Sequence, residues 1–302
     1  MRIGMVGLGR MGANMTTRLL RGGHEVVVYD VDAQAVSEAA GGGAVGAESL
    51  ADLVARLDTP RNVWVMVPSG LVTEQTVEQL GGLLATGDCV IDGGNSRWTD
   101  TMRRAQQLAV AGVGLIDAGT SGGVWGLAEG YCLMVGGDRQ MVDRLAAVFD
   151  TLAPADGWAH VGAVGAGHYT KMVHNGVEYA LMQGYAEGFE LLRASEFDLD
   201  LHQIAEVWRS GSVVRSWLLD LAASALEKDP GLEAIGGYVE DSGEGRWTVE
   251  AAIDAAVAAP TIALALFARF SSRQDDAFSN RMLAALRNEF GGHAVRPREE
   301  PA

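Results

Sequence analysis

The chain has 302 residues, 48% of them hydrophobic, and a formal net charge of −16. This is enough apolar material for two domains with sizeable cores. The negative charge works against nonspecific binding to nucleic acid or to an acidic membrane surface, so any anionic substrate needs a locally assembled cluster of positive groups. Strand-like residues begin at Arg2 with no charged-then-apolar leader. The longest uncharged apolar run, Ala255 to Ala268, is too short to span a bilayer and contains Pro260. Cys89 and Cys132 lie in apolar strand-like runs and are expected as reduced core residues, which suits a cytoplasmic chain.

From Arg2 to about Val161, short β-branched runs alternate with helical patterns, the mark of a parallel sheet wrapped by helices. Strands are expected at Arg2–Val6, Glu25–Tyr29, Asn62–Val67, Cys89–Asp92, Leu115–Asp117 and Tyr131–Val135. Helices are expected near Gly12–Arg21, Ala33–Ala40, Leu50–Arg56, Thr73–Leu84, Trp98–Ala111 and Arg139–Thr151. Beyond Gly167 helical periodicity takes over, with a long helix from about Gly167 to Arg193. Shorter helices follow near Leu201–Trp208, Val213–Leu226, Thr248–Ala258, Thr261–Ser271 and Asp275–Glu289. The fold class is therefore an α/β Rossmann-like domain over 1–163, followed by an all-α domain over 164–302 with a long leading helix. The Pro-, Arg- and Glu-rich tail after Gly292 is expected to be disordered at its end.

The first strand runs into Gly7-Leu8-Gly9-Arg-Met11-Gly12, a helix follows, and Asp30 ends the next strand. That context turns a weak glycine pattern into a dinucleotide-binding signature. Gly7 permits the tight turn, Gly9 lets the backbone approach a pyrophosphate, and Gly12 lets helix pack on strand, with helix-terminal amides facing the anion. Asp30 would accept hydrogen bonds from a free ribose diol and repel a 2′-phosphate, favouring NAD over NADP. A simple capping role for Asp30 is the competing reading. Val67, Pro68 and Asn95 end further strands on the edge where ligands of such sheets bind, and are further cofactor candidates. After another strand, Gly119-Thr-Ser121-Gly122-Gly123 offers unhindered amides and a hydroxyl that could cradle a carboxylate.

In the long helix, Lys171, His174, Asn175 and Glu178 fall at i, i+3, i+4 and i+7. Lys171 and Glu178 thus lie two turns, about 10 Å, apart on one face. Met172, Val173, Val177, Tyr179, Ala180, Leu181 and Met182 surround this stripe and predict a helix covered by protein on most sides. Buried ionisable groups must be paired or used, so a base and an acid on one line read as catalytic candidates; a solvated polar face is the competing reading.

Taken together, the glycine turn, Asp92-Gly-Gly-Asn95-Ser, the Ser-Gly-Gly run and Gly165-Ala-Gly-His168-Tyr-Thr-Lys171-Met-Val-His174-Asn175-Gly-Val-Glu178-Tyr179 resemble the decarboxylating 6-phosphogluconate dehydrogenases, within the β-hydroxyacid dehydrogenase superfamily. The resemblance covers nearly the whole chain. It implies that Lys171 is the general base and Glu178 the general acid. His174 and Asn175 would orient the substrate, while Ser121, Gly122 and Gly123 would hold its carboxylate end, with Asn95 and Tyr179 also at the substrate. Arg246 and Thr248 in Gly-Glu-Gly-Arg-Trp-Thr, Arg269 in Phe-Ala-Arg, and Arg287 and His293 in Arg-Asn-Glu-Phe-Gly-Gly-His resemble the family's remaining substrate residues. Arg246 stands where the family has Lys, and the last pair is generally supplied by a neighbouring subunit.

The resemblance thus implies a phosphosugar acid as substrate and a homo-oligomer (dimer or tetramer) whose tail completes a neighbouring site; the His spacing predicts no metal, and the charge and apolar runs predict no nucleic acid and no membrane. Two features depart from the family. Its usual member is much longer, with a second copy of the helical half, and its usual Asn-Arg-Thr after the second strand is here Asp30-Val31-Asp32. The competing functions are a hydroxyacid dehydrogenase of the 3-hydroxyisobutyrate type, acting on a smaller unphosphorylated acid, and a non-catalytic nucleotide-binding regulatory protein.

Overall fold

The computed structural model describes residues 1–296; the end of the tail lies outside the described residues. The chain divides into two compact units, Met1–Gly176 and Val177–Ala302.

The first unit contains, in order, β1 (Arg2–Val6), α1 (Arg10–Arg21), β2 (Glu25–Tyr29), α2 (Ala33–Gly41), β3 (Val45–Gly46), α3 (Leu50–Ala55), β4 (Asn62–Val65), α4 (Leu71–Leu83), β5 (Cys89–Asp92) and α5 (Trp98–Ala109). After these come β6 (Gly114–Ser121), a 3-10 turn (Gly123–Trp125), α6 (Gly126–Glu129), β7 (Cys132–Gly136), α7 (Arg139–Arg144), α8 (Ala146–Leu152) and β8 (Trp158–Gly162). The eight strands form one sheet in the order β3-β2-β1-β4-β5-β6-β7-β8. Side chains alternate between its faces. Val26 and Val28 join Met15, Leu19, Trp64 and Phe149 on one side, while Val27 joins Leu53, Val77, Leu80 and Leu108 on the other.

The sheet is not wholly parallel as expected, because β6 and β7 pair antiparallel, Ser121 opposite Cys132 and Asp117 opposite Gly136. The connection from Gly122 to Tyr131 is shorter than the dozen or so residues that a crossover to a parallel neighbour needs. Strand β6 also runs on to Ser121, so Gly119, Thr120 and Ser121 belong to the strand and not to a loop after it. Two strands escaped the sequence pattern: β3 is only two residues long, and β8 is an edge strand with no fully buried position. The pattern expected over Arg139–Thr151 is two helices that meet at Leu145, whose side chain is fully buried at the corner.

Cys132 corrects the expectation of two core cysteines. It is exposed, because it points away from the face that buries Tyr131 and Leu133. Cys89 is buried, and burial pushes its thiol up to about 12.

Helix α9 (Ala166–Arg193) begins in the first unit and continues into the second, which adds α10 (Leu201–Arg209), α11 (Trp217–Lys228), α12 (Glu244–Asp254), α13 (Pro260–Ser271) and α14 (Phe278–Gly291). Ser216 caps α11 by accepting from the amide of Leu219, so that helix starts at Trp217 and not near Val213. Two small clusters form the core here, one around Ala205, Leu219, Ala223 and Leu226, the other around Tyr179, Ala265 and Leu266. Along α9 the expected cover holds at Met172 and Tyr179 but not at Val177, Leu181 and Met182, which are exposed. Among the described residues no helix is long and apolar enough to cross a membrane.

Where α9 starts, glycines set the packing distance. A Cβ at Gly119 would lie 2.5 Å from Cβ of Lys171 and 2.7 Å from the carbonyl oxygen of Gly167, and one at Gly167 would lie 2.4 Å from the carbonyl oxygen of Met134. Gly119→Ala is therefore expected to cost about 1–3 kcal/mol through overpacking. Gly82→Ala, in α4 with open space around its Cβ, should gain about 0.5–1 kcal/mol. Urea unfolding of both variants checks the contrast; equal effects would refute the packing argument.

Candidate active site

The turn after β1 is built as its glycines require. Gly7 has φ of 94°, its amide donates to Tyr29 at 2.9 Å, and a Cβ there would meet the carbonyl oxygen of Met66 at 2.3 Å. A Cβ at Gly12 would fall 1.9 Å from the carbonyl oxygen of Gly7. Gly9 is different: nothing lies within 4 Å of the place its Cβ would take, and as N-cap of α1 it brings no side-chain cap. The protein itself thus has no need of glycine at position 9. Open space at a helix N-terminus suits a pyrophosphate. Leu8 is buried in the core and Met11 packs against it.

Asp30 does not cap α2; Asp32 does, through the amide of Gln34. The Asp30 carboxylate instead accepts from the amide of Leu8 at 2.5 Å and of Asp32 at 2.9 Å, so it fastens the glycine turn to the end of β2.

Two further loops meet this turn at the strands' C-terminal edge. Val67 lies against Gly7, and a Cβ at Gly94 would sit 3.2 Å from the carbonyl oxygen of Val67; Pro68 and Asn95 are exposed. The Asn95 loop is held from below by Asp92, fully buried, which accepts from the amide of Gly94 at 3.1 Å and the hydroxyl of Ser96 at 2.7 Å. Buried Arg104 donates to Asp92 at 3.3 Å, to Ser96 at 3.1 Å and to Glu74 at 2.8 Å. Arg103 grips Glu74 from outside with two bonds of 2.6 and 2.7 Å. With Arg103 the largest influence and Arg104 adding to it, the Glu74 carboxyl falls to about 2. Neither Glu74 nor Arg104 stood out in the sequence, where both look like ordinary helix surface.

The start of α9 is fixed by Asp117, fully buried in β6. Its carboxylate accepts from the amides of Gly165 at 2.7 Å and His168 at 2.8 Å, as an N-cap supplied from a different element. One turn on, Lys171 is 7% exposed and donates through Nζ to Oδ1 of Asn175 at 2.5 Å. His174 Nδ1 lies 3.1 Å from that same oxygen. Lys171, His174 and Asn175 therefore converge on one carbonyl. Glu178 follows on the same helix and is half-buried, while Ser121, Gly122 and Gly123 continue from β6, with positive φ at both glycines.

In the second unit, Tyr179, Arg246 and Arg269 come together. Arg269 stacks over the Tyr179 ring at 3.5 Å and donates to the carbonyl of Glu240, while the Tyr179 hydroxyl receives the amide of Ser242 at 3.0 Å. Arg246 pairs with Asp241 through bonds of 2.6 and 3.1 Å, and its guanidinium, with that of Arg273, holds the Asp241 carboxyl below the usual range. Thr248 is buried on the first turns of α12, its hydroxyl donating to the carbonyl of Glu244. Arg287 and His293, on α14 and just after it, are exposed. Among the described residues no group of three or more His, Cys, Asp or Glu could hold a metal ion.

The mostly parallel sheet unit with its glycine turn and strand-end loops, followed by a helical unit, is a two-domain dinucleotide-binding architecture. Residues 2–165 match the family model of the NAD binding domain of 6-phosphogluconate dehydrogenase, and residues 167–291 that of the 6-phosphogluconate dehydrogenase C-terminal domain. The chain belongs to the 6-phosphogluconate dehydrogenase family. It is 46% identical over 302 residues to the NAD(+)-dependent, decarboxylating 6-phosphogluconate dehydrogenase of Haloferax volcanii, covering 99% of this chain and all of that one. In fold it resembles Plasmodium falciparum 6-phosphogluconate dehydrogenase, with a TM-score of 0.84 at 24% identity, covering 99% of this chain and 67% of that longer one. Mycobacterium tuberculosis 3-hydroxyisobutyrate dehydrogenase gives a TM-score of 0.73 at 25% identity over 95% of this chain and 99% of that one.

The Glu74 pair makes a pH prediction. Its carboxyl titrates lower in the folded chain, about 2, than its ordinary 4.5. The pair's contribution is therefore complete above about 4.5 and is lost as pH falls through about 2. Glu74→Gln should be less stable than the parent at neutral pH, with the two unfolding curves converging near pH 2. A constant gap across that range would contradict the assignment.

Proposed function

We propose that this chain oxidatively decarboxylates 6-phosphogluconate to ribulose 5-phosphate and carbon dioxide, with NAD preferred over NADP. The observation that carries the reading is the buried amine of Lys171, sharing one amide oxygen with His174, on a helix that also bears Glu178. Gly7, Gly9 and Gly12 would hold the pyrophosphate, with the backbone at Leu8 and Met11, and Asp30, Val67, Pro68 and Asn95 would line the rest of the dinucleotide. When bound, that cofactor supplies the acceptor for hydride from the third carbon of the sugar acid.

The chain's own residues then do the proton work. Lys171, acting in its neutral form, takes the proton of the third-carbon hydroxyl. The resulting ketone lies β to the carboxylate, so carbon dioxide leaves readily once the enolate oxygen is stabilised, and protonated Lys171 donates to that oxygen. Asn175 and His174 hold the amine and the substrate in register. Glu178 delivers a proton to the first carbon of the enediol. Ser121, Gly122 and Gly123 receive the carboxylate end, and Tyr179, Arg246, Thr248 and Arg269 receive the phosphate end. Arginine's planar fork of donors suits that dianion.

Asp30 supports NAD, since a carboxylate just after β2 would accept from a ribose diol and repel a 2′-phosphate, and the Haloferax volcanii relative is named as NAD(+)-dependent. Exposed Phe278, Met282, Leu283 and Leu286 on α14 support assembly as a homo-oligomer, dimer or tetramer, in which Arg287 and His293 serve a neighbouring copy. Two free cysteines suit the reducing cytoplasm.

Absorbance at the NADH band with 6-phosphogluconate, together with carbon dioxide capture, tests the reaction. Lys171→Met is expected to lose roughly 10²- to 10⁴-fold in kcat. Arg269→Ala should raise KM for 6-phosphogluconate by about tenfold or more with KM for NAD unchanged. Full turnover of a small unphosphorylated hydroxyacid by Arg269→Ala would instead favour the 3-hydroxyisobutyrate type. Asp30→Asn should narrow the ratio of kcat/KM for NAD over NADP by about tenfold; an unchanged ratio would remove Asp30 from the specificity role.

A further inference from the structure

Two buried polar side chains outside the proposed machinery join the two elements that carry it. Thr101, fully buried in the first turn of α5, places its hydroxyl 2.7 Å from Nδ1 of His168, which is 2% exposed in the first turn of α9. Helix α5 follows directly on the Asn95 loop, and His168 stands three residues before Lys171, nearly one helical turn.

We infer that Thr101 and His168 are positioning residues, whose hydrogen bond fixes the Asn95 loop against the helix that bears Lys171. This rests on the reading of Asn95 and Lys171 given above.

Three observations support a strut over simple filling. First, His168 Nε2 is buried and has no hydrogen-bond partner among the described residues. A leucine or methionine would fill the space without that penalty, so what the imidazole adds at this position is the bond at Nδ1. Second, His168 cannot shift to another rotation of its helix, because its amide is held by Asp117. Third, the contact is tight on both flanks. Trp98 meets Tyr169 edge-on at 5.5 Å, and a Cβ at Gly165 would lie 2.8 Å from Cγ of Met102. The same helix α5 carries Arg104, which holds Asp92 at the beginning of the Asn95 loop. One rigid helix therefore grips the loop at one point and the lysine's helix at another.

The test compares Thr101→Val, which keeps the shape and removes the hydroxyl, with Thr101→Ser, which restores it. Thr101→Val is expected to lower kcat with 6-phosphogluconate and NAD by roughly 10- to 100-fold, with KM for NAD within about twofold, and Thr101→Ser should recover kcat. Amide hydrogen exchange should rise in 93–96 and 168–172 together in Thr101→Val. Wild-type kcat in Thr101→Val, failure of serine to rescue, or exchange confined to one segment overturns the strut. Should Thr101→Val fail to fold, His168→Asn, whose amide can stand where Nδ1 stands, is compared with His168→Leu: kcat kept by the first and lost in the second supports the proposal, and equal kcat overturns it. If the wild type reduces no nicotinamide with any sugar acid, the reading of the site falls, and the exchange result alone upholds or overturns the strut.

Discussion

The carboxylate of Asp117 is the interaction on which the rest depends. A charge buried in the middle of a sheet is costly unless it is hydrogen-bonded, and here it takes the amides of Gly165, just before a 28-residue helix, and of His168 in that helix's first turn. Those amides are among the donors that a helix leaves unpaired at its start, and they carry the positive end of its dipole. The cost of one buried group is offset by the need of another. Glycines at 119, 136 and 167 let the helix come close enough for this exchange, since a side chain at any of them would strike backbone within 3 Å. The antiparallel turn of β6 into β7 matters for the same reason, because it sets Asp117 opposite Gly136 and opens the surface on which the helix rests.

The same device recurs along the edge of the sheet. Asp30 holds the amides of Leu8 and Asp32, Asp92 holds the amide of Gly94 with the hydroxyl of Ser96, and Asp117 holds Gly165 and His168. In each case a strand's aspartate fastens a loop or helix start on which a proposed ligand residue stands. A short charged acceptor makes a stronger bond to an amide than a neutral one does. Part of the chain's acidic excess therefore serves as internal fastening and is not simply spread over the surface. In the second unit Asp241 plays a comparable part for Arg246, with a guanidinium in place of an amide.

Much of this was legible in the sequence, for reasons that differ by element. The first strands and helices were readable because their apolar spacing is regular, and the glycine turn because Gly7 and Gly12 answer local geometry that only glycine satisfies. The Lys171 stripe was readable because polar residues at helical spacing inside an apolar run are conspicuous. What could not be read depends on contacts distant in sequence. The antiparallel β6–β7 pair, the edge strand β8 and the grip of Asp117 on the start of α9 arise from tertiary pairing, which leaves no period in the chain. Arg104 and Glu74 share that origin: thirty positions apart, they become partners only when α4 and α5 lie side by side. Cys132 was misread because one apolar run was taken to be buried on both faces, while its strand is covered on one.

A helix whose origin is dictated from another element has a fixed angular phase. Each residue advances it by about 100°. One amino acid inserted between His168 and Lys171 would leave Asp117 gripping the same two amides while turning Lys171 away from the wall at Gly119 by more than a quarter revolution. The spacing from His168 to Lys171 is therefore fixed by the same grip that fixes where the helix starts.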